Sequence, residues 1–393
     1  VSLTGVPLLL VLGALTLVVP ALTVRRRPGA GPLLTILGAQ LAAVALTAAV
    51  ANDYGDFYPK WRDLFGSVHV GADTPTLTFG GSPPPGPRTT GHHGNAVGHP
   101  DPTALDAAAA SALAAGLHPT NWAPRAQWAR RGAVVSLPIP GDGGRPAQDV
   151  LAYLPPAWFA GGAAASTLPM VEVLTGYPGT PHTVVDKLHA PKVLLDDMNA
   201  GTAHPMVLLI TRPVEPFPRD TECVDVPNGP RTFSYLAEDL PNAAASILHV
   251  HPAALGAIGY STGGYCALKL AMMRPGTFAA GASMSGYYHA IPEANSGDLF
   301  GPNPLAGRER NDLDWRLGHL PAPATSVMIA TARDERYDDG YAAAQSFLGL
   351  VHAPMSATEI VLPHGGHNFG TWTAEFPRLL TWMDARLQAA AAR

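Results

Sequence analysis

The stretch LGAIGYSTGGYCALKLAMM, from Leu255 to Met273, constrains the fold of this 393-residue chain more than any other. Leu255 to Gly259 reads as a buried strand and Gly263 to Met273 as a helix, with Gly-x-Ser-x-Gly between them. A strand that turns so sharply into a helix crowds the residues at the turn. Small residues are needed there, and Gly259, Gly263 and Gly264 supply them. Such a turn would lift the Ser261 hydroxyl above a sheet edge and set its backbone at a helix N-terminus, where the local dipole favours a developing oxyanion. The plainer alternative is a structural glycine turn that contains a serine.

The neighbouring sequence supports the first reading. VVSLPI and DVLAYLP read as adjacent strands; PMVEVLTG, PMVLLIT and TSVMIAT read as buried ones. Helical stretches are expected at Thr183–Ala200, Tyr235–Leu248, Asp339–Val351 and Ala374–Ala391. Strands alternating with helices imply an α/β fold with a mostly parallel central sheet covered on both faces. A serine hydroxyl is a poor nucleophile without a base, and on a turn of this kind an acid and then a histidine follow it in sequence. His367, in the glycine-containing loop LPHGGHNFGTW after the apolar run EIVL, is the expected base, with His364 as the alternative. The acid is expected just past TSVMIAT, at Asp334, with Glu335 beside it as the alternative. Two N–H groups should receive the oxyanion. One is expected from Thr262, after the nucleophile, and the other from Tyr177 in VLTGYPGT.

The first fifty residues differ from the rest. Leu3–Val24 and Pro32–Ala51 are uncharged and long enough to cross a bilayer, with Arg25, Arg26 and Arg27 between them. The positive-inside rule keeps those arginines cytoplasmic and exports everything after Ala51. In a rival reading the second run is a signal peptide with Ala49-Val50-Ala51 as its cleavage site, which also exports the remainder. The expected organisation is a membrane anchor of two helices over 1–51, a juxtamembrane segment and Gly/Pro/Ala-rich linker over 52–131, and a catalytic domain over 132–393. Ala104–Leu117 could form a short helix within that linker. A net charge of −5 gives no basic field for nucleic acid. No metal or other cofactor is expected: His92, His93 and His99 have no carboxylate or cysteine beside them and read as solvated linker.

The segments GYSTGGYCALKLAMMRPGTFAAGASMSGYY, VLTGYPGT, DTECVDVP and GGHNFGTW resemble the esterase family of alpha/beta hydrolases, which includes the mycobacterial mycolyltransferases of the antigen 85 group and membrane-anchored actinobacterial members. The resemblance covers roughly 132–393 and implies an alpha/beta-hydrolase fold and a serine esterase or acyltransferase that needs no cofactor. The substrate it implies is an ester or acyl lipid. The mycolyltransferases use a glutamate as acid, which keeps Glu335 in contention. In this setting an exported domain would permit a bridge between Cys223 and Cys266, the two cysteines of the chain. A binding domain on a retired hydrolase fold, or a peptidase on the same fold, are the other classes to be weighed.

Overall fold

The computed structural model describes residues 6–23, 30–55, 57–58, 61, 64, 76–81, 117–137, 139, 149–214 and 219–392. Among the described residues ten strands form one sheet: Thr76–Gly80 (β1), His118–Pro119 (β2), Ala133–Leu137 (β3), Val150–Leu154 (β4), Met170–Leu174 (β5), Val207–Thr211 (β6), Leu255–Tyr260 (β7), Phe278–Met284 (β8), Ser326–Ala332 (β9) and Ser356–Leu362 (β10). Their order is β1-β10-β9-β8-β7-β5-β6-β4-β3-β2. The six strands from β10 to β6 run parallel. Antiparallel strands close both ends: β1 against β10, and β4, β3 and β2 beyond β6.

β5, β6 and β7 are buried along their whole length, so both of their faces carry core side chains. Val171 and Val173 belong to one core, and Met170 and Leu174 to the other. The two-residue period of a strand divides the run this way. The principal helices are Val6–Thr23 (α1), Ala30–Gly55 (α2), Ala190–Ala200 (α3), Leu240–Leu248 (α4), Thr262–Met273 (α5), Gly340–Leu350 (α6) and Phe369–Ala391 (α7). α4, α5 and α6 cover one face through Leu240, Leu270 and Phe347. α3 and α7 cover the other through Leu194, Phe376 and Met383. The result is the three-layer α/β architecture expected from the alternation of elements.

Two expectations are revised. The segment over 52–131 is not all linker. Thr76–Gly80 pairs with β10, and Leu117, Ala123 and Trp128 are buried in the core. The linker histidines His92, His93 and His99, and most of the Ala104–Leu117 stretch, lie outside the described residues. Where two membrane spans were expected, one is found among the described residues: Leu34–Asn52 in α2, 19 residues long and apolar enough to cross a bilayer. In α1 the corresponding apolar stretch is the shorter Pro7–Leu17. α1 and α2 pack on each other.

Candidate active site

β7 ends at Tyr260, α5 begins at Thr262, and Ser261 alone makes the turn. Its backbone lies at φ 56° and ψ −129°, a conformation that L-residues rarely adopt. The strain holds because the surroundings fix both sides. The Ser261 N–H donates to the Met284 carbonyl at 3.0 Å, and its own carbonyl receives the N–H groups of Gly264 and Tyr265 at 2.8 and 3.1 Å. The glycines serve close approach. A Cβ on Gly263 would sit 2.3 Å from the Leu174 carbonyl oxygen of β5, so only glycine lets α5 start against that strand.

His367 lies in the loop between β10 and α7, just before Asn368, whose side chain caps α7 by accepting from the N–H groups of Gly370 and Thr371. The ring's Nε2 is 2.8 Å from Ser261 Oγ, and its Nδ1 is 2.9 Å from Glu335 Oε1. With Nδ1–H donating to the carboxylate, Nε2 is left to accept the serine proton. The Tyr337 ring packs over the imidazole at 4.2 Å and the Trp372 ring meets it edge-on at 5.2 Å. Ser261, His367 and Glu335 are all buried.

The carboxylate that the structure brings to His367 is Glu335, given above as the alternative. Asp334 pairs with a different histidine. Its Oδ2 lies 3.0 Å from Nδ1 of His364, the alternative base, whose side chain is half exposed. Each of two adjacent carboxylates has its own histidine. The cause is the turn after β9, where the Glu335 N–H donates to the Ala332 carbonyl at 3.1 Å, so the two neighbouring side chains diverge. Glu335 is held further by Ser285 Oγ, which donates to its Oε2 at 2.7 Å, and by Thr331 Oγ1 at 3.3 Å. Neither residue was foreseen. Ser285 follows the last residue of β8, with φ at 49°, and the small-residue segment FAAGASM before it gives little sign of a strand.

Thr262 is the first residue of α5, so its N–H has no acceptor within the helix. The loop of Tyr177 passes close by: a Cβ on Gly176 would fall 2.8 Å from Ser261 Cβ. The Tyr177 hydroxyl accepts from Asn295 Nδ2 at 2.7 Å, and burial, ahead of the nearby carboxylates of Asp220 and Glu293, pushes its phenol pKa up. The expected bridge between Cys223 and Cys266 is present, 43 residues apart in sequence. No group of three or more metal-binding side chains occurs among the described residues.

This arrangement can pass a proton from a hydroxyl to an imidazole braced by a carboxylate, beside a helix N-terminus facing the same point. Solved structures share the frame. An S-formylglutathione hydrolase from Agrobacterium tumefaciens aligns with a TM-score of 0.55 at 15% identity, over 66% of this chain and 96% of that one. A ferulic acid esterase aligns with a TM-score of 0.53 at 13% identity, over 65% and 98%. A fluorophosphonate-binding serine hydrolase of Staphylococcus aureus aligns with a TM-score of 0.51 at 18% identity, over 64% and 98%. No curated protein sequence matches the chain. Residues 147–379, more than half of the sequence, match the family described as "Putative esterase". The chain belongs to that esterase family and carries its alpha/beta-hydrolase fold.

Proposed function

We propose that this member of the esterase family cleaves carboxylic esters through an acyl-enzyme on Ser261, with His367 as base, Glu335 as the acid that orients it, and the N–H groups of Thr262 and Tyr177 as oxyanion donors. The observation that carries the reading is the unbroken relay Ser261–His367–Glu335 at 2.8 and 2.9 Å. Ser261 Oγ attacks the ester carbonyl while its proton moves to His367 Nε2. Glu335 stabilises the resulting imidazolium through Nδ1–H. The tetrahedral oxyanion forms at the N-terminus of α5, where each donated hydrogen bond contributes roughly 3–4 kcal/mol to the barrier reduction. His367 then protonates the leaving alkoxide, and a water molecule enters by the reverse path to free the acid.

The enzyme is further read as membrane-anchored with its catalytic domain outside the cytoplasm. The 19-residue apolar stretch of α2 and the Cys223–Cys266 bridge support this. A contact beside the base favours a lipid-like ester. Asn368, next to His367, donates through its Nδ2 to the carbonyl of Phe57, two residues beyond the end of α2. Phe57 is five residues past Asn52, where the apolar stretch ends, a separation of at most about 18 Å. The base would then work close to the bilayer surface, where an acyl lipid is the ester at hand. Transfer of that acyl group to a sugar or envelope hydroxyl would use the same acyl-enzyme with a different acceptor.

The test is labelling by a fluorophosphonate probe, together with hydrolysis of p-nitrophenyl esters of increasing chain length. Wild type should be labelled and active, and Ser261→Ala neither. Retained turnover in Ser261→Ala would end the proposal, and a rate that peaks at the two-carbon ester would remove the lipid reading.

A further inference from the structure

Tyr337 has no part in the reaction as written, yet its ring lies on the base. The ring centroids of Tyr337 and His367 are 4.2 Å apart and the planes are inclined by 33°, so the phenol presents a face to the imidazole. Both imidazole nitrogens are engaged in the plane of the ring, Nε2 with Ser261 Oγ and Nδ1 with Glu335 Oε1. Those bonds fix the direction of the ring and leave its faces to neighbouring side chains. Trp372 of α7 meets it nearly at right angles, at 86°.

The backbone that carries Tyr337 is strained. Asp338, Asp339 and Gly340 follow it at φ 45°, 59° and 40°, three successive residues at positive φ of which two are not glycine. Such a run persists only where its surroundings over-determine it. Here the chain doubles back on the acid. The Tyr341 N–H donates to the Glu335 carbonyl at 3.3 Å, and a Cβ on Gly340 would fall 2.4 Å from the same oxygen. The turn that leaves Glu335 therefore closes on Glu335. One short segment supplies both the carboxylate at the edge of the imidazole and the aromatic face against it.

The reaction gives that face a task. His367 becomes a cation each time it takes the serine proton, and it does so buried, where a charge is costly. Glu335 answers one edge of it. The face of an aromatic ring is the negative part of its quadrupole, and it attracts a cation within about 6 Å of its centroid. An aliphatic side chain of similar bulk would exclude water equally well and offer the charge nothing. Charged groups surround the imidazole on three elements. The turn after β9 carries Glu335, bonded to it, with Asp334, Arg336 and Asp338 beside; its own loop carries His364, paired with Asp334; and α7 carries Glu375, buried three residues past Trp372. Replacing an uncharged ring leaves all of these in place, so a change in pH response reports the ring itself.

We propose that Tyr337 is a positioning residue that acts through His367: the face of its ring stabilises the imidazolium, and the closed turn from Glu335 to Tyr341 holds it there. The proposal rests on the serine-esterase reading above. The test uses the full chain with p-nitrophenyl butyrate, and kcat and KM are measured across pH. Tyr337→Leu should lower kcat roughly three- to thirtyfold with KM within about threefold. Tyr337→Phe keeps the ring and should recover most of that loss. Trifluorophenylalanine introduced at position 337 by nonsense suppression keeps the ring's shape while its fluorines withdraw π density, and it should lose turnover as Tyr337→Leu does. In both of these variants the acid limb of kcat/KM should move by about half a unit to one unit toward lower pH, because a less stable imidazolium gives up its proton sooner.

An acid limb that stays in place while kcat falls would overturn the proposal, since a packing role lowers turnover without touching the charge. So would wild-type turnover with the fluorinated ring. Should Tyr337→Leu fail to fold, Tyr337→Phe and its fluorinated counterpart decide between them, because they share a shape and differ in ring electrons. Activity surviving in Ser261→Ala would instead strike the underlying reading, so the two failures are separable.

Discussion

At the scale of single residues, the sharpest distinction is between two neighbours. Glu335 braces His367, while Asp334 pairs with the half-exposed His364. Glu335→Gln keeps the shape but removes the charge that stabilises the imidazolium, and kcat/KM for p-nitrophenyl butyrate should fall about 10³- to 10⁴-fold. Asp334→Asn should stay within about threefold, because its partner pair is solvated and screened. Equal losses in the two variants would return the acid to residue 334. The sequence made Ser261 and His367 readable because small residues must surround the turn and because the order of partners along the chain is restricted. It did not settle which carboxylate points inward. That direction is set by the turn to the Ala332 carbonyl and by Ser285, which arrives from a strand about fifty positions earlier.

At the scale of elements, the runs rich in Val, Leu and Ile gave themselves away as strands, and β8 did not. FAAGASM has few of the β-branched and aromatic residues that favour strands. It sits in the sheet because small residues let α5 lie directly upon it: a Cβ on Gly281 would be 2.4 Å from the Ala267 carbonyl oxygen of that helix. β1 was hidden for another reason. Thr76–Gly80 is a short, mostly exposed edge strand whose pairing with β10 is made at long range. The same close packing at the nucleophile turn yields a prediction. Gly263→Ala places a methyl group against the backbone of β5, where no side chain can yield. It should destabilise the domain by about 2–3 kcal/mol in urea denaturation and lower turnover by displacing the start of α5. Gly276→Ala, at a position with nothing within 4 Å, should do neither.

At the scale of the whole molecule, covalent and electrostatic restraints meet on one side of α5. The Cys223–Cys266 bridge closes a loop of 43 residues, and loop-closure entropy assigns such a loop about 4 kcal/mol. Reduction, or Cys266→Ala, should lower the denaturation midpoint accordingly; a midpoint indifferent to reductant would remove the bridge from the stability account. The buried charges beside it set the response to pH. Burial pushes the Asp220 carboxyl up from 3.8 to about 6, against the pull of the Glu222 N–H bonded to it. Between about pH 4 and 6 the folded chain therefore holds more protons than the unfolded one, and this contribution to stability, full at low pH, is lost as pH rises through 6. Lys269 acts in the opposite sense. Burial lowers its amine from 10.5 to about 7, so the unfolded chain binds more protons above pH 7 and stability rises from there toward 10.5. Asp220→Asn keeps an oxygen for the Glu222 N–H but cannot ionise. It should be more stable than wild type by about 3 kcal/mol at pH 7, with the gap closing below about pH 4. Urea midpoints at pH 4, 5.5, 7 and 8.5 test this directly, and a gap that did not change with pH would show that ionisation at residue 220 is not its source.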